Sequence, residues 1–114
     1  MSKDKANPET LPVAKNMEIA VIGTCINHQA AMVEANGLLT PETFFFDPNR
    51  IIWNVMQILT NEGVHPDGIT LTERLRKRGE LDQVGGPTAI TKFQQNAGFA
   101  TNIRHNCAIL TDKY

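Results

Sequence analysis

The feature that most constrains the fold of this 114-residue chain is a repeated set of signals for the start and the end of a helix. At Thr40-Pro41 and again at Asp47-Pro48, a residue with a capping side chain stands directly before a proline. A capping side chain followed by proline at the first helical position indicates that a helix begins there. A glycine such as Gly63 then follows the apolar periodic segment, where a helix ends readily. The pattern predicts a chain divided into short helices.

The apolar residues between these signals recur with the period of an α-helix. The clearest case covers residues 48–62, where Ile52, Val55, Met56 and Leu59 follow the i, i+3, i+4, i+7 spacing. No segment shows sustained strand alternation. The prediction is therefore an all-α fold, a compact bundle of about six short helices. Further helices are predicted over residues 15–27, 28–35, 70–78 and 87–95, and from about residue 101 to the end.

Three consecutive phenylalanines, Phe44, Phe45 and Phe46, follow the first proline signal, and a short helix beginning at Thr40 would carry them. Because a helix turns by ~100° per residue, three adjacent rings cannot all face the core. Core packing is the favoured interpretation. The alternative is that one ring is exposed as part of a partner surface.

Composition narrows the class of protein. Hydrophobic residues make up 41% and charged residues 20%, and the formal net charge is -1. This balance argues against a nucleic-acid binder held by bulk positive charge. Residues 1–14 are predicted to be a flexible leader, and residues 15–114 one helical domain. Cys25 and Cys107 form no C-x-x-C pair, which favours a reducing, cytoplasmic setting. No apolar run approaches the ~18–20 residues that span a bilayer, so no membrane partner is predicted.

Motifs of catalytic and metal sites are not found in the sequence. Residues 86–92 lack the glycine before Lys92 and the hydroxyl residue after it that a phosphate loop requires. No histidine has a partner four residues away, and a structural zinc needs four ligands. Glu73 is the third residue after Thr70, which predicts a capping box and not a general base. We predict no catalytic residue, no cofactor site and no metal site in this chain.

Four of the 11 basic residues fall within five positions, at Arg74, Arg76, Lys77 and Arg78. The favoured interpretation of this basic cluster is a solvated helix end whose cations complement the helix dipole. The alternative is a local positive patch that contacts DNA phosphates or an acidic partner.

The order of these motifs resembles one family, the N-terminal domain of the DnaB-type replicative DNA helicase. The resemblance covers about residues 12–114, and the segment from Gly63 to Gly86 is its most specific part. Asn49 stands where the family usually has a histidine. The residues that carry the resemblance include Glu18, Ile22-Gly23, Pro41-Glu42-Thr43-Phe44-Phe45, Asn49-Arg50-Ile51-Ile52, Asp67, Ile69-Thr70-Leu71, Leu75, Arg78-Gly79, Leu81, Val84-Gly85-Gly86 and Asn102-Ile103.

The resemblance implies a non-catalytic domain for oligomerisation and partner docking in DNA replication. ATP and Mg would then be needed only by a separate motor domain, absent from this chain. The implied partners are the other subunits of a hexameric ring, the primase and a helicase loader, with DNA bound by the full ring. The basic cluster would steer an acidic partner surface or DNA.

The family's pairing element is a helical hairpin that begins at Asn102-Ile103. Because this chain stops at Tyr114, the resemblance implies a monomer or weak dimer with part of its pairing surface uncovered. The residues expected to take part in self-association are Phe93, Ile103, Cys107 and Leu110.

Three alternatives to a helicase domain stay open at this point. One is a stand-alone homologue that modulates a helicase ring. Another is a small helix-turn-helix DNA-binding regulator with its turn at Gly79, which the net charge and the long loop to Pro87 disfavour. The last is a small enzyme, for which the sequence offers no motif.

Overall fold

The structure, a computed structural model, describes the backbone of residues 11–113 and the side chains of residues 14–112. All regular structure in this part of the chain is helical, which confirms the predicted all-α fold of about six helices. Single turns of 3-10 helix cover Pro41–Thr43, Asp82–Val84 and Ala100–Asn102. The helices are α1 (Leu11–Asn27), α2 (Gln29–Asn36), α3 (Asp47–Asn61), α4 (Gly68–Lys77), α5 (Gly86–Gln95) and α6 (Ile103–Lys113).

Helix α1 lies at the centre of the fold and contacts α2, α3, α5 and α6. It buries two adjacent pairs of apolar residues, Val21-Ile22 and Cys25-Ile26, and so has more than one buried face. A helix that is apolar on several faces is stable only when other elements cover it. The surrounding helices therefore pack onto α1 as a shared core.

Helices α1 and α5 approach so closely at Gly23 that no side chain fits between them. A Cβ atom there would overlap the carbonyl oxygen of Phe93 and lie 3.2 Å from the Cα of Ala97. The glycine of the Ile22-Gly23 pair thus has a packing function.

Helix α3 presents the predicted apolar stripe to this core. Ile52, Val55, Met56 and Leu59 are all fully buried, as the spacing predicts. The helix ends before Gly63, whose φ of +84° is the left-handed conformation expected of a terminating glycine.

The predicted leader and the first helix differ from the structure at their boundary. Helix α1 begins at Leu11, so residues 11–14 are helical and the prediction of a leader up to residue 14 is wrong for them. Pro12 can occupy the first turn of a helix, because its missing N–H has no intrahelical partner there. Residues 1–10 of the predicted leader lie outside the described residues.

The three phenylalanines do not lie on a helix. Only one 3-10 turn follows Thr40, and the backbone then extends, with φ -87° and ψ 137° at Phe44. Because successive side chains of an extended chain point to opposite sides, Phe44 is fully buried while Phe45 is 36% exposed. Phe44 packs on Trp53 of α3, with ring centroids 5.4 Å apart.

The predicted capping box of α4 is also wrong. The helix begins at Gly68, and the Asp67 carboxylate caps it by accepting a hydrogen bond of 2.8 Å from the Thr70 amide. Asp67 lies three residues before Thr70, the distance at which a cap residue reaches a free amide. Glu73 forms an ion pair with Arg76 instead. At the end of α2, Gly37 has a φ of -85°, so that helix ends without a left-handed glycine.

Candidate docking surface

A buried carboxylate joins α1 to the extended segment and to α3. Glu18 is fully buried, and its Oε1 accepts a 2.7 Å hydrogen bond from Nδ2 of Asn49. Its Oε2 accepts a second bond of 2.7 Å from the backbone amide of Phe45. Burial raises the pKa of Glu18, while these hydrogen bonds oppose the shift. Because both carboxylate oxygens bond to other segments of the fold, we assign the arrangement a structural role.

Arg50 fixes the same segment from the other side. Its Nε donates to the carbonyl oxygen of Phe44 at 2.6 Å, and its Nη1 lies 3.5 Å from Oδ1 of Asp47. We call the contacts of Glu18, Asn49, Phe45 and Arg50 the buried junction. The junction holds residues 44–46 extended and thereby fixes the position of the Phe46 ring.

The basic cluster lies at the end of α4, and three of its four cations already have carboxylate partners. Arg74 makes a two-pronged contact with Glu62 at 2.9 and 3.0 Å, and this hydrogen bonding lowers the pKa of Glu62. Arg76 pairs with Glu73, and Arg78 with Glu80 at 2.7 Å. Lys77 has no ion-pair partner among the described residues. Because these glutamates offset part of its charge, the cluster has a weaker positive electrostatic field than its sequence indicates.

The residues predicted for self-association lie in the core. Ile103, Cys107 and Leu110 are at most 3% exposed, and Phe93 is 7% exposed. The expectation that they would be partly uncovered is wrong, because α6 packs this stripe against α1 and α2. Burial accordingly raises the pKa of the Cys107 thiol to about 11. Their role in self-association stays a prediction.

The histidines and acids form no metal cluster in the described part of the chain, where no group of three such side chains could hold an ion. His65 lies instead at the end of α1, with its Nε2 2.9 Å from the carbonyl oxygen of Ile26. None of the described helices is both long and apolar enough to cross a bilayer.

Two clefts open on the surface on either side of α5. The first, which we call the lysine cleft, has a volume of about 340 Å³ and lies where α1, the start of α3 and α5 meet. The second, the α4–α5 cleft, measures about 540 Å³. The lysine cleft is lined by Lys15, Ile19, Phe46, Pro48, Asn49, Val84, Ala89, Lys92, Phe93 and Asn96, and the α4–α5 cleft by Asp67, Gly68, Ile69, Thr72, Glu73, Pro87, Ile90, Thr91 and Gln94.

Sequence reasoning did not pair Lys15 with Lys92, since the two are distant in sequence and Lys92 was considered only for a phosphate loop that the segment does not match. Glu18 and Asn49 entered only through the resemblance. A pattern that could have indicated a buried role for Glu18 is its place among the apolar residues of α1. Of the predicted site residues, Phe93 lines the lysine cleft. Ile103, Cys107 and Leu110 are buried in the core, and the basic cluster lies at the end of α4.

The comparison of the sequence with known families decides the assignment. The profile of the DnaB-like helicase N terminal domain matches residues 10–112. The chain belongs to this family.

Two relatives of this DnaB-type domain illustrate the sequence similarity. The chain is 29% identical to the replicative DNA helicase DnaB of Rhodothermus marinus over 102 residues, which is 90% of the chain and 11% of that protein. It is 28% identical to the replicative DNA helicase DnaC of Bacillus subtilis (strain 168) over 110 residues, which is 96% of the chain and 24% of that protein. The chain thus spans a quarter or less of the helicases it matches.

The fold agrees with a solved member of the family. The N-terminal domain of DnaB helicase from Mycobacterium tuberculosis superposes with a TM-score of 0.82 at 21% identity, covering 86% of this chain and 70% of that one. This likeness shows the DnaB N-terminal fold.

Proposed function

We propose that the chain acts as the non-catalytic oligomerisation and docking domain of a replicative DNA helicase. The observation that carries the proposal is the family match over residues 10–112, in a chain that spans only 11% and 24% of two helicase relatives. ATP hydrolysis, with its Mg, would belong to a motor domain outside this sequence. The domain would act in the cytoplasm.

The proposed partners are the other subunits of a hexameric ring, the primase and a helicase loader, with DNA bound through the whole ring. The fold supports a scaffold role, because the buried junction and the close contact at Gly23 hold α1, α3 and α5 in fixed positions. Rigid surfaces lose little conformational entropy when they bind. The glutamates paired with the basic cluster would weaken the electrostatic attraction by which the cluster steers an acidic partner or DNA toward the domain.

Self-association through Phe93, Ile103, Cys107 and Leu110 would require a rearrangement. Because Ile103, Cys107 and Leu110 fill the core of one chain, a second chain could contact these three side chains only if α6 left its place and packed on the partner. A swapped helix of that kind would give a dimer whose formation competes with the closed monomer. Sedimentation of the chain over a range of concentrations tests this role, and a strict monomer at every concentration contradicts it.

Docking is tested by titration calorimetry with the C-terminal domain of the primase from the same organism. We expect saturable heat at micromolar concentrations. No heat at high micromolar concentration would contradict docking to primase. Measurable ATP hydrolysis by the isolated chain would contradict the non-catalytic assignment.

The stand-alone homologue remains the second candidate for the same fold. It differs from the first in one measurable respect, the mass of the native gene product. A free-standing chain would have a mass of 12.6 kDa. It would bind a helicase ring from outside instead of forming part of it.

A further inference from the structure

The two surface clefts differ in whether their charged groups already have partners. In the α4–α5 cleft, Asp67 caps its own helix through the Thr70 amide, and Glu73 pairs with Arg76. In the lysine cleft, neither Lys15 nor Lys92 has a carboxylate partner among the described residues. Free charges at a cleft are available to a ligand, whereas capped or paired charges must first be released.

The walls of the lysine cleft are largely apolar. Ile19, Phe46 and Ala89 are half-buried there, and no aspartate or glutamate of the described residues belongs to the lining. Lys15 lies with its Nζ 5.8 Å from the centre of the Phe46 ring, so that one cation borders an aromatic wall. The cleft therefore favours a ligand that is both apolar and negatively charged.

The size of the cleft restricts the ligand further. Its volume of about 340 Å³ is at the low end of the ~300–1,000 Å³ found for ligand sites. A space of this size admits a few side chains of a short segment and not the face of a folded domain. Asn49 also lines the cleft, and its amide oxygen has no hydrogen-bond partner in the part of the chain described. That oxygen is an acceptor for a ligand amide.

The cleft is also held in shape by contacts behind it. The buried junction fixes residues 44–46 and with them the Phe46 wall, through the hydrogen bonds to Phe45 and Phe44. The approach of Gly23 to Phe93 sets the spacing of α1 and α5 across the cleft. A preformed site of this kind reduces the entropy lost on binding.

We propose that the lysine cleft binds a short acidic segment of a partner protein, with an apolar side chain seated on the Phe46 wall and carboxylates beside Lys15 and Lys92. The inference rests on the proposed docking function, for which it names one site and one partner chemistry. Among the described residues, the two lysines have no ion-pair partner and the cleft lining has no carboxylate. This charge complementarity favours an acidic segment over a basic segment or a second copy of the chain, whose net charge is only -1.

The test uses a fluorescein-labelled synthetic peptide with two leucines flanked on both sides by aspartates. Anisotropy should show saturable binding with a Kd on the order of 100 µM at low salt, weakening as salt is added. Two control peptides should bind much more weakly, one with lysine in place of aspartate and one with serine in place of leucine. Equal binding of the lysine peptide, or no binding of the acidic peptide up to roughly 1 mM, overturns the inference.

Charge reversals locate the site. The double variant Lys15→Glu with Lys92→Glu should weaken binding about ten-fold, since each reversal replaces an attraction by a repulsion. Arg104→Glu is the matched control, because Arg104 is an exposed cation on α6 that does not line the lysine cleft. It should leave the Kd within about two-fold. Equal losses from the control and from the double variant would contradict the proposed site.

Amide chemical shifts of the labelled chain give an independent location. The acidic peptide should shift residues around Ala89 and Phe46 and leave those around Ile69 in the α4–α5 cleft unchanged. Shifts centred on Ile69, or concentration-dependent shifts without peptide that indicate a second copy in the cleft, would overturn the inference. The primase titration is read separately: heat with primase but no peptide binding removes this site and leaves docking intact, whereas peptide binding without primase heat removes the primase as the partner.

Discussion

The buried junction and the ion pairs of the basic cluster both contain carboxylates in contact with donors, but they differ in solvent exposure. Glu18 of the junction is fully buried between Asn49 and Phe45. The carboxylate of Glu62 in the cluster is half exposed beside Arg74. A buried charge that loses a donor cannot recover it from water, whereas an exposed charge can. Of these two regions, only the one with the buried carboxylate should hold the fold together.

The largest effect is expected where α1 approaches α5 behind the junction. Gly23→Ala should lower the free energy of unfolding by about 3 kcal/mol, because the added methyl group overlaps the Phe93 carbonyl and the helices must separate. Gly37→Ala is the matched control. Its Cβ would have its nearest neighbour at 3.9 Å, and its φ is ordinary, so stability should rise or stay within about 1 kcal/mol. Urea unfolding measures both variants, and equal losses would contradict the close packing.

The second-largest loss of stability is expected when an amide of the buried junction is removed, compared with the removal of an exposed amide. Asn49→Ala should cost roughly 2–3 kcal/mol at neutral pH, because Glu18 loses the donor to its Oε1 while staying buried. Asn61→Ala removes an exposed 3.2 Å bond from Asn36 and should change stability by less than about 0.5 kcal/mol. If the two alanine variants unfold at the same urea concentration, the buried hydrogen bond to Glu18 contributes no more to stability than the exposed one, which contradicts the prediction.

The way in which stability changes with pH should show the direction in which the pKa of Glu18 is shifted in the folded state. Burial raises the pKa of folded Glu18 above its unfolded value of 4.5, so its contribution to stability is greatest below pH 4.5 and falls as pH rises to the folded pKa. Glu18→Gln should remove this decline, because the glutamine amide does not titrate between pH 4 and 7. The difference between wild type and variant across pH 4–7 measures the effect. A difference that does not vary with pH would contradict a raised pKa.

The smallest effect is expected in the basic cluster. Arg74→Ala breaks the contact with Glu62, but both groups are accessible to water and are screened by salt. The unfolding midpoint should stay close to that of wild type, and any difference should vanish in added salt. The low pKa of Glu62 should meanwhile return toward its ordinary value. A large loss of stability that does not depend on salt would mean that the cluster stabilises the fold as strongly as the junction does, which contradicts the expected difference between them.

Local patterns predicted much of the fold and little of the candidate site. The apolar stripe of α3 and the terminating Gly63 follow from periodicity and backbone conformation, so both could be predicted. The extended segment at Phe44–Phe46 could not. Its local signal at Thr40-Pro41 favours a helix, but a hydrogen bond from Phe45 to Glu18, 27 residues earlier, holds it extended.

The capping prediction for α4 failed for a different reason. Asp67 and Thr70 are both good cap residues three positions apart, and the sequence offers no way to decide which one the fold uses. The lysine cleft joins side chains from opposite ends of the chain, and only tertiary packing brings them together. The burial of Ile103 against α1 likewise depends on where α6 docks.

The central claim, that this chain is the docking domain of a replicative helicase, is tested most directly by the mass of the native product. An antibody raised against the chain would detect it by immunoblot in its own cells. The account predicts a band several times larger than 12.6 kDa, because a motor domain would be attached. A band at 12.6 kDa would contradict the claim and identify a free-standing homologue.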